Sequence, residues 1–373
     1  MQNASLTPTP MSDPDHLYRR WQALLDERGK LRIRAAANAL GVSELELRAT
    51  QLGRESDDCD AQVTRLHGDW PALIQALPAL GEVMALTRNE SAVHEKIGHY
   101  DAISFSGRFG LVLNHTIDLR LFMAHWAHAL AVEEPAIKSD ARLASLQFFD
   151  ASGTAIHKVY LREASERAAY DALVAQFRSD DQRPKLELDP PRPTPTPTPD
   201  DAIDVAGFQA AWRALTDTHD FFPLLRRFGV ARTQALRLAP EGYAIAVAND
   251  AIVRVLETAV ASETSIMVFV GSPGCVQIHT GPVARVVPTG PWINVLDPGF
   301  NLHLRTDAVA ESWIVRKPTA DGIVTSLELF DEAGRNIALV FGERKPGIPE
   351  REDWRELLAP LLATATAESA RES

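Results

Sequence analysis

One phrase occurs twice in this chain. Ser145-Leu-Gln-Phe-Phe-Asp-Ala-Ser-Gly153 aligns without a gap to Ser326-Leu-Glu-Leu-Phe-Asp-Glu-Ala-Gly334, and both copies run on into Ile, Val and an aromatic: Ile156, Val159 and Tyr160, then Ile337, Val340 and Phe341. Apolar runs on either side of an Asp-x-x-Gly corner are the pattern of a β-hairpin. The duplication extends upstream, where Trp21-Gln-Ala-Leu-Leu and Gly41-Val42 answer Trp212-Arg-Ala-Leu-Thr and Gly229-Val230. A repeat of this length predicts two homologous halves.

The boundary between them is legible too. From Leu188 to Asp201, Pro190, Pro191, Pro193, Pro195, Pro197 and Pro199 are interleaved with Thr, which predicts a stiff, polyproline-like linker. The expected organisation is an N-terminal repeat over 1–187, with 1–14 a loose tail that lacks a secretory signature, a linker over 188–203, and a C-terminal repeat over 204–373. Each half opens with helical periodicity and closes with short β-branched runs, such as 145–161 and 323–341. That order predicts an α+β fold with large antiparallel sheets rather than βαβ units.

Composition matters mainly for what it excludes. A content of 45% hydrophobic and 24% charged residues is that of a globular chain, so wholesale disorder is excluded. The net charge of −12 argues against a nonspecific polyanion binder, so nucleic acid is not an expected partner. Apolar runs such as 265–270 fall well short of the roughly 20 residues of a membrane-spanning helix. Cys59 and Cys275 are too few for a disulfide framework, which makes the cytoplasm the expected compartment.

Three constellations could carry chemistry. Arg34 to Glu46 has the small residues, turn Gly41 and cap Ser43 of a helix-turn-helix, but Leu31 to Gly53 carries almost no net charge, so a DNA-binding regulator is a minor alternative to an ordinary helical hairpin. His125 and His128 share a spacing that suits one helical face, without the third ligand of a zinc site. His219 is different: Phe208, Trp212, Leu215, His219 and Phe222 fall at helical spacing, which predicts an imidazole on an apolar stripe, and Pro223 requires the helix to kink or end there. From the residues alone, a core histidine and a haem or metal ligand both remain open.

Longer phrases go further. Leu86-Thr-Arg-Asn-Glu-Ser-Ala-Val-His94, Ile117-Asp-Leu-Arg120, Trp212-Arg-Ala-Leu-Thr-Asp-Thr-His219-Asp-Phe-Phe, Met267-Val-Phe-Val-Gly271 and Val315-Arg-Lys-Pro-Thr make the sequence resemble, over nearly its whole length, the haemin-degrading or haemin-transport factors of bacterial haem uptake. The resemblance implies two similar α+β halves with a haem cleft between them. It implies His219 as the proximal iron ligand, Arg120 as the distal residue and the catalytic one if the protein is an enzyme, Lys317 and Arg344 as propionate-side cations, and Phe269 as a wall. Phe341 departs from a Tyr common in the family, which removes a hydroxyl from the propionate side. His303 and Arg305 in the second half are read as structural.

The expected function is therefore a cytoplasmic protein that binds haem b, sequesters it after import and delivers it onward. The expected partners are an inner-membrane haem ABC importer and a downstream haem oxygenase or reductase. The alternative is a haem-degrading monooxygenase that cleaves the ring with an external reductant, since the chain has no G-x-G-x-x-G fingerprint for a redox cofactor of its own.

Overall fold

The computed structural model describes residues 9–10, 13–54, 59–136, 141–190, 196–345 and 347–372, with side chains described between Asp13 and Ala367. The chain forms two compact units, the first from residues 1–88, 95–193 and 272–277, the second from 89–94, 194–271 and 278–373. The compact units thus depart from the sequence halves at two short segments. Residues 1–8 and 11–12 of the expected tail and 191–195 of the expected linker lie outside the described residues. The described chain enters its first helix at Pro14, capped by the Asp13 carboxylate.

The first unit contains β1 (Thr9–Pro10), α1 (Pro14–Arg28), α2 (Ile33–Leu40), α3 (Glu44–Ala49), β2 (Gln62–Leu66), α4 (Trp70–Ala76), β3 (Gly81–Arg88), and most of β4 (Ala92–Gly98). It continues through β5 (Ile103–Ser106), β6 (Phe109–Leu113), β7 (Asp118–Phe122), β8 (His128–Pro135), β9 (Arg142–Phe149), β10 (Ala155–Ser165), α5 (Arg167–Phe177) and β11 (Glu187–Leu188). The strands β3-β10-β9-β8-β2 lie side by side and antiparallel. The repeated phrase forms the β9–β10 hairpin, and its corner closes because Asp150 Oδ1 accepts the backbone N–H groups of Ser152 and Thr154. Gly153 holds a φ of +84°, and a Cβ there would run into Ser43.

The second unit contains α6 (Val205–Arg213), α7 (Phe221–Phe228), α8 (Arg232–Arg237), β12 (Ala244–Val247), α9 (Ala251–Ala261), β13 (Ile266–Gly271) and the end of β14 (Cys275–Gly281). There follow β15 (Val286–Thr289), β16 (Trp292–Asp297), β17 (Phe300–Arg305), β18 (Glu311–Thr319), β19 (Gly322–Phe330), β20 (Asn336–Gly342) and α10 (Glu352–Glu372). Here β12-β18-β19-β20-β13 is the antiparallel run, and the second copy of the phrase is the β19–β20 hairpin.

Alternation divides this sheet into two faces with different duties. Ile314, Leu327, Leu329, Val340 and Val268 point into a core shared with α9 and α10, sealed by the fully buried Trp354. On the opposite face lie Trp313, Val315 and Lys317 of β18, Ser326 and Glu328 of β19, Leu339 and Phe341 of β20, and Met267 and Phe269 of β13. Helices α6–α8 pack on Trp313 and Val315 of that face through Phe208, Trp212, Phe221 and Leu224. Leu339, Phe341, Met267 and Phe269 are only half-buried. Among the described residues no helix is long and apolar enough to cross a membrane.

Candidate functional site

The continuous amphipathic stripe expected through His219 does not form. Helix α6 stops at Arg213, and α7 restarts at Phe221, with Thr218–Asp220 a 3-10 turn between them. Pro223 is the third residue of α7, where its missing N–H has no intrahelical bond to lose, so it marks a helix start rather than a kink. The turn is held from below: buried Trp212 donates its indole N–H to the Arg316 carbonyl at 3.1 Å, and the Thr216 carbonyl accepts from the Ala320 N–H at 2.8 Å.

His219 itself projects outward, with 88% of its side chain exposed. Oδ1 of Asp217 accepts from the His219 backbone N–H at 2.8 Å and from the ring Nδ1 at 2.7 Å. A carboxylate can only accept, so Nδ1 carries a proton, and in the neutral ring Nε2 presents its lone pair. These bonds, the backbone one foremost, hold the Asp217 carboxyl below its ordinary range, and the positive charge of Arg344 acts in the same direction. Phe222 beside the turn is 60% exposed, whereas Phe221 is buried.

Of the four other sequence-derived residues, three share this unit. Arg344 follows the end of β20 and is half-buried, close enough for its charge to reach Asp217. Phe269 is on the half-buried part of the sheet face, its ring edge-on to Phe341 at 5.0 Å between centroids. Lys317 lies under α7 rather than at the surface. Its side chain is 5% exposed and its ammonium binds Glu328 at 2.6 Å, so it is not the spare cation that the sequence suggested. Glu328 is fully buried and also receives Arg232, at 2.5 Å from Nη2 and 3.1 Å from Nε. Two cations hold the Glu328 carboxyl down to about 2, while burial and the neighbouring Arg232 bring the Lys317 ammonium down to about 8.

Arg120 belongs to the first unit. It stands on β7 opposite Leu111 of β6 and is ion-paired with Asp118 two residues away. Its strand neighbour Phe122 faces Phe109 across the pair, ring centroids 5.7 Å apart, and both are more than a third exposed, as is Leu113. Arg120 therefore sits on an open, largely apolar strand face.

The other candidates settle into structural positions. His125 ends a 3-10 turn and His128 opens β8, and among the described residues no group of three or more His, Cys, Asp and Glu could hold a metal. His303 Nδ1 meets Asn294 Oδ1 at 2.7 Å, and Arg305 pairs with Asp307. The helix-turn-helix shape is present, with Gly41 left-handed and a Ser43–Glu46 capping box, but Glu44, Leu45, Leu47, Arg48 and Ala49 of α3 are all buried. A recognition helix needs its first residues at the surface, and here Glu44 at its start is ion-paired internally with Lys158, and Arg48 near its end with Glu134.

Sequence reasoning missed Asp217, Arg232 and Glu328. A carboxylate two residues before a histidine at the start of a turn is a signal that could have found Asp217. No local signal could have joined Arg232 to Glu328, which meet only through packing of α8 on β19.

Residues 41–177 and 229–361 each match the haemin-degrading HemS.ChuX domain, one copy per half. The chain is 43% identical over 348 residues to the hemin transport protein HmuS of Yersinia pestis, covering 93% of this chain and 97% of the relative. It is also 43% identical, over 344 residues, to the hemin transport protein HemS of Yersinia enterocolitica, covering 91% and 95%. Among solved structures, holo-PhuS, a heme-binding protein from Pseudomonas aeruginosa, superposes with a TM-score of 0.88 at 47% identity, covering 94% of this chain and 99% of that one. The heme degrading enzyme ChuS of Escherichia coli O157:H7 superposes at 0.85 with 38% identity, covering 94% and 99%. By family-domain matches in both halves and relatives aligned over almost their full length, the chain belongs to the haemin-degrading HemS/ChuX family.

Proposed function

We propose that this protein binds haem b through His219 Nε2, sequesters it in the cytoplasm after import, and passes it to an acceptor. The observation that carries the reading is the Asp217–His219 pair: an exposed imidazole whose Nδ1 proton and ring orientation are fixed by a carboxylate offers its other nitrogen to an iron. The surroundings fit the rest of the molecule. Exposed Phe222 and the half-buried Phe269, Phe341 and Leu339 offer apolar surface to a flat macrocycle, and Arg344 supplies a cation for a propionate. Lys317 contributes through its field, because Arg232, Lys317 and Glu328 together leave one positive charge beneath α7. Arg120 is assigned the distal role. The donor is an inner-membrane haem ABC importer and the acceptor a haem oxygenase or reductase, consistent with the hemin transport proteins among the relatives.

Ring cleavage is the second reading, favoured by the likeness to a heme degrading enzyme. Bound haem would supply the iron for that chemistry, and the reductant would come from a partner. The two share a first test: titration of the apoprotein with haemin, in parallel with His219→Ala. A Soret band that saturates at one haem per chain and is displaced or lost in the variant supports the site. A lack of haem uptake by the wild type overturns both readings. Verdohaem, biliverdin-like product or CO formed with a reductase, and persisting with catalase present, selects the second.

A further inference from the structure

We propose that Glu328 is a positioning residue for His219, acting at a distance chiefly through Arg232 and the ring of Phe221. This rests on the reading of His219 as the haem ligand, though its effect on the imidazole can be observed without haem.

The chain of contacts is continuous. Glu328 is fully buried on β19 and anchors two cations, Arg232 from α8 and Lys317 from β18. Both cations stand over the ring of Phe221, the Arg232 guanidinium carbon 4.5 Å from its centroid and the Lys317 ammonium 5.0 Å, and Arg232 also lies 5.2 Å from the centroid of Phe222. Phe221 is the first residue of α7 and directly follows the 3-10 turn that carries His219. The ring also meets Trp212 edge-on at 4.5 Å between centroids, and Trp212, in the last turn of α6, bonds to β18. The turn is therefore held between an aromatic anchor and a cationic one, and the cationic one exists only because a carboxylate gathers the two charges.

The chain carries its own comparison. In the gapless alignment of the repeated phrase, Gln147 stands where Glu328 stands. Gln147 is equally buried, but its amide donates to the Ser145 hydroxyl at 3.0 Å and holds no cation. The position that answers His219 in the first copy is Arg28 when counted from Trp21 against Trp212 and Leu31 when counted back from Gly41 against Gly229, so neither frame puts a histidine there. At this one position the carboxylate thus occurs in the copy that has a ligand to position and a neutral amide in the copy that has none, whose buried ion pair, Glu44–Lys158, lies elsewhere.

The test reads the imidazole directly. In the full-length apoprotein with nitrogen-15-labelled histidine, the ring shifts of wild-type His219 report the Nδ1–H tautomer. In Glu328→Gln the fraction of that tautomer is expected to fall at least twofold. Because Glu328→Gln leaves two buried cations unopposed, Glu328→Gln/Lys317→Met is made beside it, restoring the single net positive charge without the carboxylate, and it is expected to show the same fall. Lys317→Met alone keeps Arg232 on Glu328 and is expected to retain most of the wild-type tautomer. Leu358→Ala in α10 lowers stability elsewhere in the unit and is expected to leave the tautomer unchanged, which separates positioning from general destabilisation. A wild-type tautomer in the double variant, or its loss in Lys317→Met alone, overturns the proposal. Haemin titration of the same variants is expected to show at least fivefold weaker uptake wherever the tautomer is lost. If the wild type takes up no haem, the functional reading fails while the nitrogen shifts still decide the role of Glu328.

Discussion

One carboxylate oxygen of Asp217 accepts two hydrogen bonds from His219, from the backbone N–H at 2.8 Å and from the ring Nδ1–H at 2.7 Å. The first builds the 3-10 turn and the second orients the ring, so the residue that shapes the backbone also chooses which nitrogen faces outward.

Replacing that carboxylate by an amide separates the two duties. Asp217→Asn keeps an oxygen that can accept from the backbone but loses the negative charge behind the imidazole. Haemin affinity is expected to fall about tenfold or more, or roughly 1.4 kcal/mol, with little loss of fold stability. Paired haemin titrations and urea midpoints check this.

Adjacent phenylalanines at the start of α7 should behave oppositely. Phe221 is buried under two cations and Trp212, so Phe221→Ala is expected to cost about 3–5 kcal/mol in the second unit. Phe222 is 60% exposed, and Phe222→Ala is expected to stay within about 0.5 kcal/mol while weakening haemin uptake. Denaturant unfolding and absorbance titration of the pair distinguish them.

Gly342 has no room for a side chain. A Cβ there would lie 2.5 Å from Cβ of Trp354, the residue that seals α10 against the sheet. Gly342→Ala should therefore cost about 1–3 kcal/mol, visible as a lower Tm, and weaken haemin uptake through Arg344 two residues later.

A buried triad in the first unit predicts an acid limit. His157 sits between the Tyr100 hydroxyl, 2.5 Å from Nε2, and the Thr87 hydroxyl, 2.8 Å from Nδ1, and burial pushes its imidazole down to about 3. The unfolded chain then binds the extra proton between about pH 6.5 and pH 3, so stability falls as pH drops through that window. The loss should reach about 2 kcal/mol by pH 5 relative to pH 7.5. Urea midpoints of the wild type and His157→Gln across this range test it, and an unchanged slope in the variant would sink the assignment.

The same sign holds at the alkaline end. The Lys317 ammonium is brought down to about 8, chiefly by burial, from an unfolded value near 10.5. Between those values the unfolded chain holds the additional proton, so the burial penalty is present below pH 8 and is relieved above it. Wild-type stability should therefore rise relative to Lys317→Met as pH increases from 8 to 10, as measured by denaturant midpoints of the two proteins.

The parts of the molecule that were readable in advance are those written locally. The β9–β10 and β19–β20 hairpins could be read because their Asp-x-x-Gly corners are self-contained turns. His219 could be read because its phrase is contiguous, although the helical stripe drawn through it ignored the acceptor at Asp217, which favours a turn over a continued helix. Lys317 was recognisable by its motif but not by its environment. Its burial depends on Glu328 one strand over and on Arg232 from a helix far back in the chain, and no spacing rule joins those three. The membership of residues 89–94 and 272–277 in their respective units is likewise a matter of distant strand pairing, with no local signature.

The last of these has a consequence for synthesis. Cys275 lies fully buried in the first unit near Thr87 and His157, and Gly274 accepts the Trp126 indole N–H. These residues are translated long after the Thr-Pro linker. As the chain leaves the ribosome, the first unit waits, unfinished, for a strand that the gene encodes inside the second repeat. Cutting the gene at the linker would therefore yield an N-terminal product lacking part of its own interior.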